Sequence, residues 1–87
     1  MMKQIEYNEE KRLIILTWRW IDLEEIAQMI WKWDILDIID NPSHPNQSIF
    51  IVNYNWYTCC VPFVEDDEKI FLKTAYYSRK QNKLFNS

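Results

Sequence analysis

The chain of 87 residues contains no glycine. Every turn or helix stop that needs a left-handed residue must therefore use one with a Cβ, and asparagine and aspartate tolerate that conformation best. The sequence supplies one where its apolar pattern breaks beside Trp56, at Asn53 or Asn55.

Along the chain the segments alternate in period. Residues 3–7 set Ile5 and Tyr7 against Gln4 and Glu6, the pattern of a short first strand. Asn8 is suited to cap a helix whose first turn carries Glu9 and Glu10. That helix is predicted to run to about residue 18, with Leu13, Leu16 and Trp20 on its apolar stripe. Lys11 and Arg12 stand in its first turn, where the helix dipole disfavours cations; such a conflict marks either a functional residue or an exposed one of no consequence. Asp22-Leu23-Glu24-Glu25 has the form of a capping box, opening a second helix with Leu23, Ile26, Met29, Ile30 and Trp33 at buried-stripe spacing. Trp31 falls off that stripe. It is a candidate partner anchor, with packing on a nearby loop as the plainer reading.

The second half reads as a β-meander. Residues 35–40 form a strand ending at Asp40-Asn41-Pro42, and a polar loop over residues 43–47 carries the lone His44. His44 is read as a surface residue, its chemical alternative being a general base. Residues 48–54 are apolar on both faces, as a central strand requires. Asn55-Trp56 turns the chain into a strand over residues 57–64, where Pro62 demands a bulge or a free N–H side. Residues 65–68 are an acidic hairpin loop, and a last strand begins at Lys69. The expected fold is one α+β domain over residues 1–87: two N-terminal helices packed on one face of a four- to five-stranded, mainly antiparallel sheet.

Charge is uneven along this order. Residues 1–68 carry five basic and thirteen acidic side chains, net −8; residues 69–87 carry five basic ones and no acid, net +5; together they give the chain its −3. If the last strand runs on unbroken, Ile70, Leu72, Thr74 and Tyr76 share one face, and Lys69, Phe71, Lys73, Ala75, Tyr77 and Arg79 the other. A cationic and aromatic face suits phosphates and bases. An edge strand guarded by lysines has the same composition.

Several classes are not expected. The apolar runs are too short to span a bilayer, and no leader pattern opens the chain. Cys59 and Cys60 are adjacent and poorly placed to bond to each other, which fits a reducing, cytoplasmic setting. No zinc-spaced ligand set and no glycine-rich phosphate loop exists, so neither a metal nor a cofactor is expected.

Three stretches resemble the BrnT-like branch of the RelE-superfamily toxins of bacterial type II toxin–antitoxin systems. Ile5-Glu-Tyr-Asn-Glu-Glu-Lys11 is similar to the family's opening, and Ile21-Asp-Leu-Glu-Glu-Ile26 to the start of its second helix. Most specific is Val61-Pro-Phe-Val-Glu-Asp66 followed by Ile70-Phe-Leu-Lys-Thr-Ala-Tyr-Tyr-Ser-Arg-Lys80, which resembles a Val-Pro-Phe-Val-Glu-Asp … Phe-Leu-Lys-Thr-Ile-Tyr-Pro-Ser-Arg-Lys pattern. The likeness covers nearly the whole chain. Trp20 stands where the family has glycine, and Tyr77 where it has proline.

The resemblance implies a metal-independent endoribonuclease that blocks translation and growth and is held in check by a small, DNA-binding antitoxin. Its chemistry would be attack of a ribose 2′-hydroxyl on the adjacent phosphate. By position, Arg79, Lys80, Lys11 and Tyr76 are the implied catalytic candidates, with Arg79 first for electrostatic stabilisation. Lys73, Tyr77, Ser78 and Lys83 are the implied RNA contacts, and Trp31 and Arg79 the antitoxin contacts. The alternative is a non-catalytic interaction module with a basic partner-binding end.

Overall fold

The computed structural model describes residues 3–86; Met1, Met2 and Ser87, at the ends of the expected domain, lie outside the described residues. In order come β1 (Gln4–Tyr7), α1 (Glu9–Arg19), α2 (Leu23–Trp31), β2 (Asp37–Asp40), β3 (Ser48–Tyr54), β4 (Tyr57–Glu65), β5 (Lys69–Leu72), β6 (Tyr76–Tyr77) and α3 (Arg79–Asn86). The described residues form an α+β fold with three helices and one mixed sheet. Its order is β1-β5-β4-β3-β2, and β6 also pairs with β4. β1 runs parallel to β5, and the other pairs are antiparallel.

α1 starts as expected, the Asn8 side chain accepting from the Lys11 amide at 2.9 Å. Its inward face differs. Leu13, Leu16 and Trp20 are exposed, and Ile15 is the buried residue. The cause is a pair of polar anchors one turn to either side of Ile15. Arg12 forks onto Asp22, Nε to Oδ1 at 2.9 Å and Nη2 to Oδ2 at 3.4 Å. Arg19 Nη1 donates to the Ala75 carbonyl at 2.9 Å. Residues 12, 15 and 19 share a helix face, which leaves Leu13 pointing outward, while Leu16 lies at the rim of that face, 37% exposed.

Asp22 caps α2 by accepting from the Glu24 amide at 3.0 Å. The return bond of a capping box does not form; the Asp22 amide instead donates to Tyr54 Oη at 3.1 Å. Leu23, Ile26 and Ile30 are fully buried, and Met29 packs half-buried beside them. They meet Phe50, Val52, Val61, Phe63, Ile70 and Leu72 from the sheet, with the rings of Phe50 and Phe63 stacked 3.9 Å apart. Each such side chain contributes about 1.5–3 kcal/mol by leaving water. The opposite face carries a smaller cluster of Ile49, Ile51 and Cys60, with Ile39 against it. The two thiols are free and face opposite ways, and burial pushes Cys59 up to about 12.

Three tryptophans occupy left-handed backbone. Trp20 (φ 59°) ends α1, its amide donating to the Leu16 carbonyl at 3.2 Å. Trp33 (φ 59°) follows α2, donating to Ile30 at 3.0 Å while Asp34 donates to Met29 at 2.8 Å, a Schellman stop. That conformation carries Trp33 off the buried stripe expected for it, and it is exposed. Asn55 (φ 54°) takes the left-handed role expected of it, and Trp56 (φ 66°) shares the two-residue β3–β4 turn.

Pro62 is accommodated by a bulge. β4 pairs with β5 through Phe63↔Leu72 and with β6 through Cys60↔Tyr76, so residues 73–75 stand against Val61 and Pro62 alone. The Pro62 carbonyl accepts from the Lys73 amide at 2.8 Å. A strand residue's nitrogen and carbonyl point the same way, so the missing donor of Pro62 faces the bulge. This corrects the expected parity. Ala75 is buried with Ile70 and Leu72, Tyr77 lies opposite Cys59 on the helix-covered face, and Tyr76 lies opposite Cys60 on the other. Arg79 lies in a helix and not on the strand.

That helix, α3, adds a third to the two expected from the sequence. The Ser78 hydroxyl accepts from the Gln81 amide at 3.2 Å, and its carbonyl from the Asn82 amide at 2.9 Å. The Ser78 amide donates to the Thr58 carbonyl at 3.0 Å, and Asn82 Oδ1 accepts from the Thr58 amide at 3.1 Å. Both ends of the first turn are thus tied to β4. No described helix is long and apolar enough to cross a membrane.

Candidate functional site

Tyr76 and Tyr77 are adjacent strand residues and point to opposite faces, and the bulge decides which face each takes, so the basic end presents two surfaces. On one, Tyr57, Tyr77 and Arg79 line an open cavity of about 560 Å³. The tyrosine rings meet edge to face, 5.6 Å apart at 89°. Arg79 is exposed at the first position of α3, with Lys80 beside it and no acidic residue in that turn. Two rings and a guanidinium around one cavity offer flat faces for a base and a fork for a phosphate. Tyr57 escaped the sequence reading, because its pairing with Tyr77 depends on the register across the bulge.

On the other surface Lys73 lines two adjoining hollows. The first, of about 400 Å³, includes Asn8, Glu10, Lys11 and Phe71. Lys73 Nζ lies 5.5 Å from the centre of the Phe71 ring. The second, of about 330 Å³, includes Asn41, His44, Gln47, Pro62, Thr74 and Tyr76. Burial raises the pKa of the Tyr76 hydroxyl, and the neighbouring Cys60 and Cys59 add to the effect. Lys11, Lys73 and Tyr76 therefore follow one another along one side of the molecule.

The implied site residues thus divide into two groups. Lys11, Lys73 and Tyr76 share one side, Tyr77 and Arg79 the other, and Lys80 and Lys83 are exposed on α3. The Ser78 hydroxyl caps α3. Among the described residues the salt bridges engage Lys3, Arg12 and Lys69, and none engages Lys11, Lys73, Arg79, Lys80 or Lys83. Arg12, by contrast, is paired with Asp22, Glu9 and Glu24, and its bonds to Asp22 and Glu9 raise its pKa further. Burial works to raise the Asp22 pKa, but the Arg12 fork and the Glu24 amide outweigh it and hold the carboxyl below its ordinary value.

Trp31 is half exposed and lines a groove with Ile5, Tyr7 and Ala27. In the acidic loop Asp66 accepts from the amides of Glu68 and Lys69 at 2.8 and 2.9 Å, and these bonds lower its pKa. Among the described residues no group of three or more His, Cys, Asp or Glu side chains is arranged to hold a metal ion. No family model, curated protein or solved structure matches the chain.

Proposed function

We propose that this chain is a BrnT-like toxin of the RelE superfamily, an endoribonuclease that acts in the cytoplasm and arrests growth until an antitoxin binds it. The observation that carries the reading is the cavity combining Tyr57, Tyr77 and Arg79 at the basic end of an otherwise acidic chain. Stacking of one base is worth about 1–3 kcal/mol. The planar fork of the guanidinium suits the non-bridging oxygens of a phosphate. The positive end of the α3 dipole and Lys80 act in the same direction.

In this reading cationic side chains, not a metal ion, offset the charge that develops on phosphorus. The attacking group is the ribose 2′-hydroxyl, and the products are a 2′,3′-cyclic phosphate and a 5′-hydroxyl. The RelE-like arrangement of two N-terminal helices over a mainly antiparallel sheet belongs to the same proposal. Its antitoxin would cover Arg79 or the Trp31 groove, an exposed apolar strip able to seat an amphipathic segment.

Brief induction followed by sequencing of RNA ends tests the proposal. New 5′-hydroxyl ends with arrested growth are expected. Normal growth with no new RNA ends leaves the non-catalytic binding module as the better account.

A further inference from the structure

We propose that the loop over residues 41–47 brings His44 into the Lys73–Tyr76 hollow as the proton-transfer residue of an RNA-cleaving site. The inference rests on the ribonuclease reading and supplies the base it lacks. The loop is built to hold a shape. The Asn41 amide donates to Gln47 at 3.1 Å, His44 to Asn41 at 3.3 Å, and Gln47 to His44 at 3.0 Å. The Asn41 side chain accepts from the Ser43 amide at 3.0 Å. Opposite, the bulge is pinned by Lys73 on Pro62 and by Arg19 on Ala75. One hollow thus holds an imidazole, an ammonium and a phenol, and imidazole is the side chain whose proton affinity suits transfer near neutral pH.

The step balances within this set. The 2′-oxygen bonds to phosphorus as His44 takes its proton. The P–O5′ bond breaks and the leaving oxygen takes the Tyr76 hydroxyl proton. Lys73 offsets the extra charge on the non-bridging oxygens of the scissile phosphate, and Arg79, in the cavity on the opposite face, anchors a neighbouring phosphate of the same strand. The raised pKa of Tyr76 keeps that proton in place until the alkoxide forms. β6 is only two residues long, so an RNA strand crossing its edge meets Tyr77 and Arg79 on one face and this hollow on the other.

The test is single-turnover cleavage of a model RNA by wild type, His44→Ala and Tyr76→Phe, with a thermal melt of each. His44→Ala is expected to melt as wild type, bind the RNA normally and cleave about 10²–10⁴ more slowly. Added imidazole should restore part of the rate. Cleavage by His44→Ala at the wild-type rate overturns the assignment and leaves the ribonuclease reading standing. Absence of cleavage by wild type overturns both.

A second inference rests on the backbone alone. An average usage of about 7% would give a chain of this length about six glycines; this one has none and five tryptophans. All five are exposed, and three of them hold φ between 59° and 66°. Each of those three marks a place where glycine is the favoured residue: a left-handed helix stop at Trp20, a Schellman stop at Trp33, and the second position of an Asn-led hairpin turn at Trp56. We infer that positions 20, 33 and 56 are glycine positions, and that the cell which makes this protein inserts glycine there. The route would be the UGA codon, which some genetic codes read as tryptophan and others as glycine. Peptide mass mapping of the protein from its native host should find glycine at all three. Tryptophan at these positions overturns the inference.

Discussion

The amide of Lys73 donates to the carbonyl of Pro62 at 2.8 Å, tying the first residue of the bulge to the proline that makes the bulge necessary. With this bulge go the exchange of Tyr76 and Tyr77 between the two faces of the sheet and the meeting of Lys73 with the His44 loop. Arg19 completes the brace, with Nη1 on the Thr74 hydroxyl at 3.2 Å and on the Ala75 carbonyl. Arg19→Ala should therefore cost about 1 kcal/mol of stability and speed amide exchange at residues 73–75. RNA cleavage should fall more than stability does. Hydrogen exchange and a melt separate the two effects, and unchanged exchange at the bulge contradicts the brace.

The Arg12–Asp22 fork predicts a pH dependence. Asp22 is held below its ordinary 3.8, so the folded chain binds fewer protons than the unfolded one as acid is added. Its contribution is complete above that ordinary value and is lost as pH falls through the depressed one. Asp66 has the same sign. Asp22→Asn keeps a capping oxygen but loses the charge, and should melt lower at pH 7 by about 1 kcal/mol, or roughly 4–8 °C. It should also unfold over a flatter acid limb. Equal losses at pH 7 and pH 2 would show that the charge is not what stabilises.

RNA affinity should divide by chemistry. Tyr57→Ala is expected to weaken binding by about 1–3 kcal/mol with an unchanged salt slope. Lys80→Ala or Lys83→Ala should each flatten the slope of log K against log salt by about 0.7. Filter binding of a short single-stranded RNA over a salt series measures both. A Tyr57→Ala variant that binds like wild type removes the stacking platform.

Much of the fold can be read from the residues, and the limits have physical causes. Asn8 and Asp22 cap helices because short polar side chains offer the right acceptor, and β3 is visible in its unbroken apolar run. Leu13 reads as inward-facing because it is apolar, whereas long-range bonds from Arg12 and Arg19 hold the Ile15 side of α1 against the core. Parity is misread beyond Leu72 because a bulge adds one residue, and a single residue exchanges every later side chain between faces. His44 looks solitary in sequence because its neighbours Lys73 and Tyr76 come from a distant strand and bulge.

The antitoxin should compete with RNA. If a partner from the native neighbourhood covers Arg79, the complex should neither bind nor cleave the model RNA, and Arg79→Ala should weaken both partners. A stable complex that still cleaves RNA at the free rate would point the partner to the Trp31 groove instead.

The account turns on Arg79, exposed at the start of α3 and sharing a cavity with Tyr57 and Tyr77. The deciding measurement is single-turnover cleavage of a model RNA by wild type and Arg79→Ala, with melts run in parallel. The predicted result is a fall of about 10²–10³ in kcat/KM with the melt shifted by no more than about 0.5 kcal/mol. An Arg79→Ala protein that stays folded and cleaves at the wild-type rate would contradict the site, and a wild-type protein that leaves the RNA intact would contradict the function.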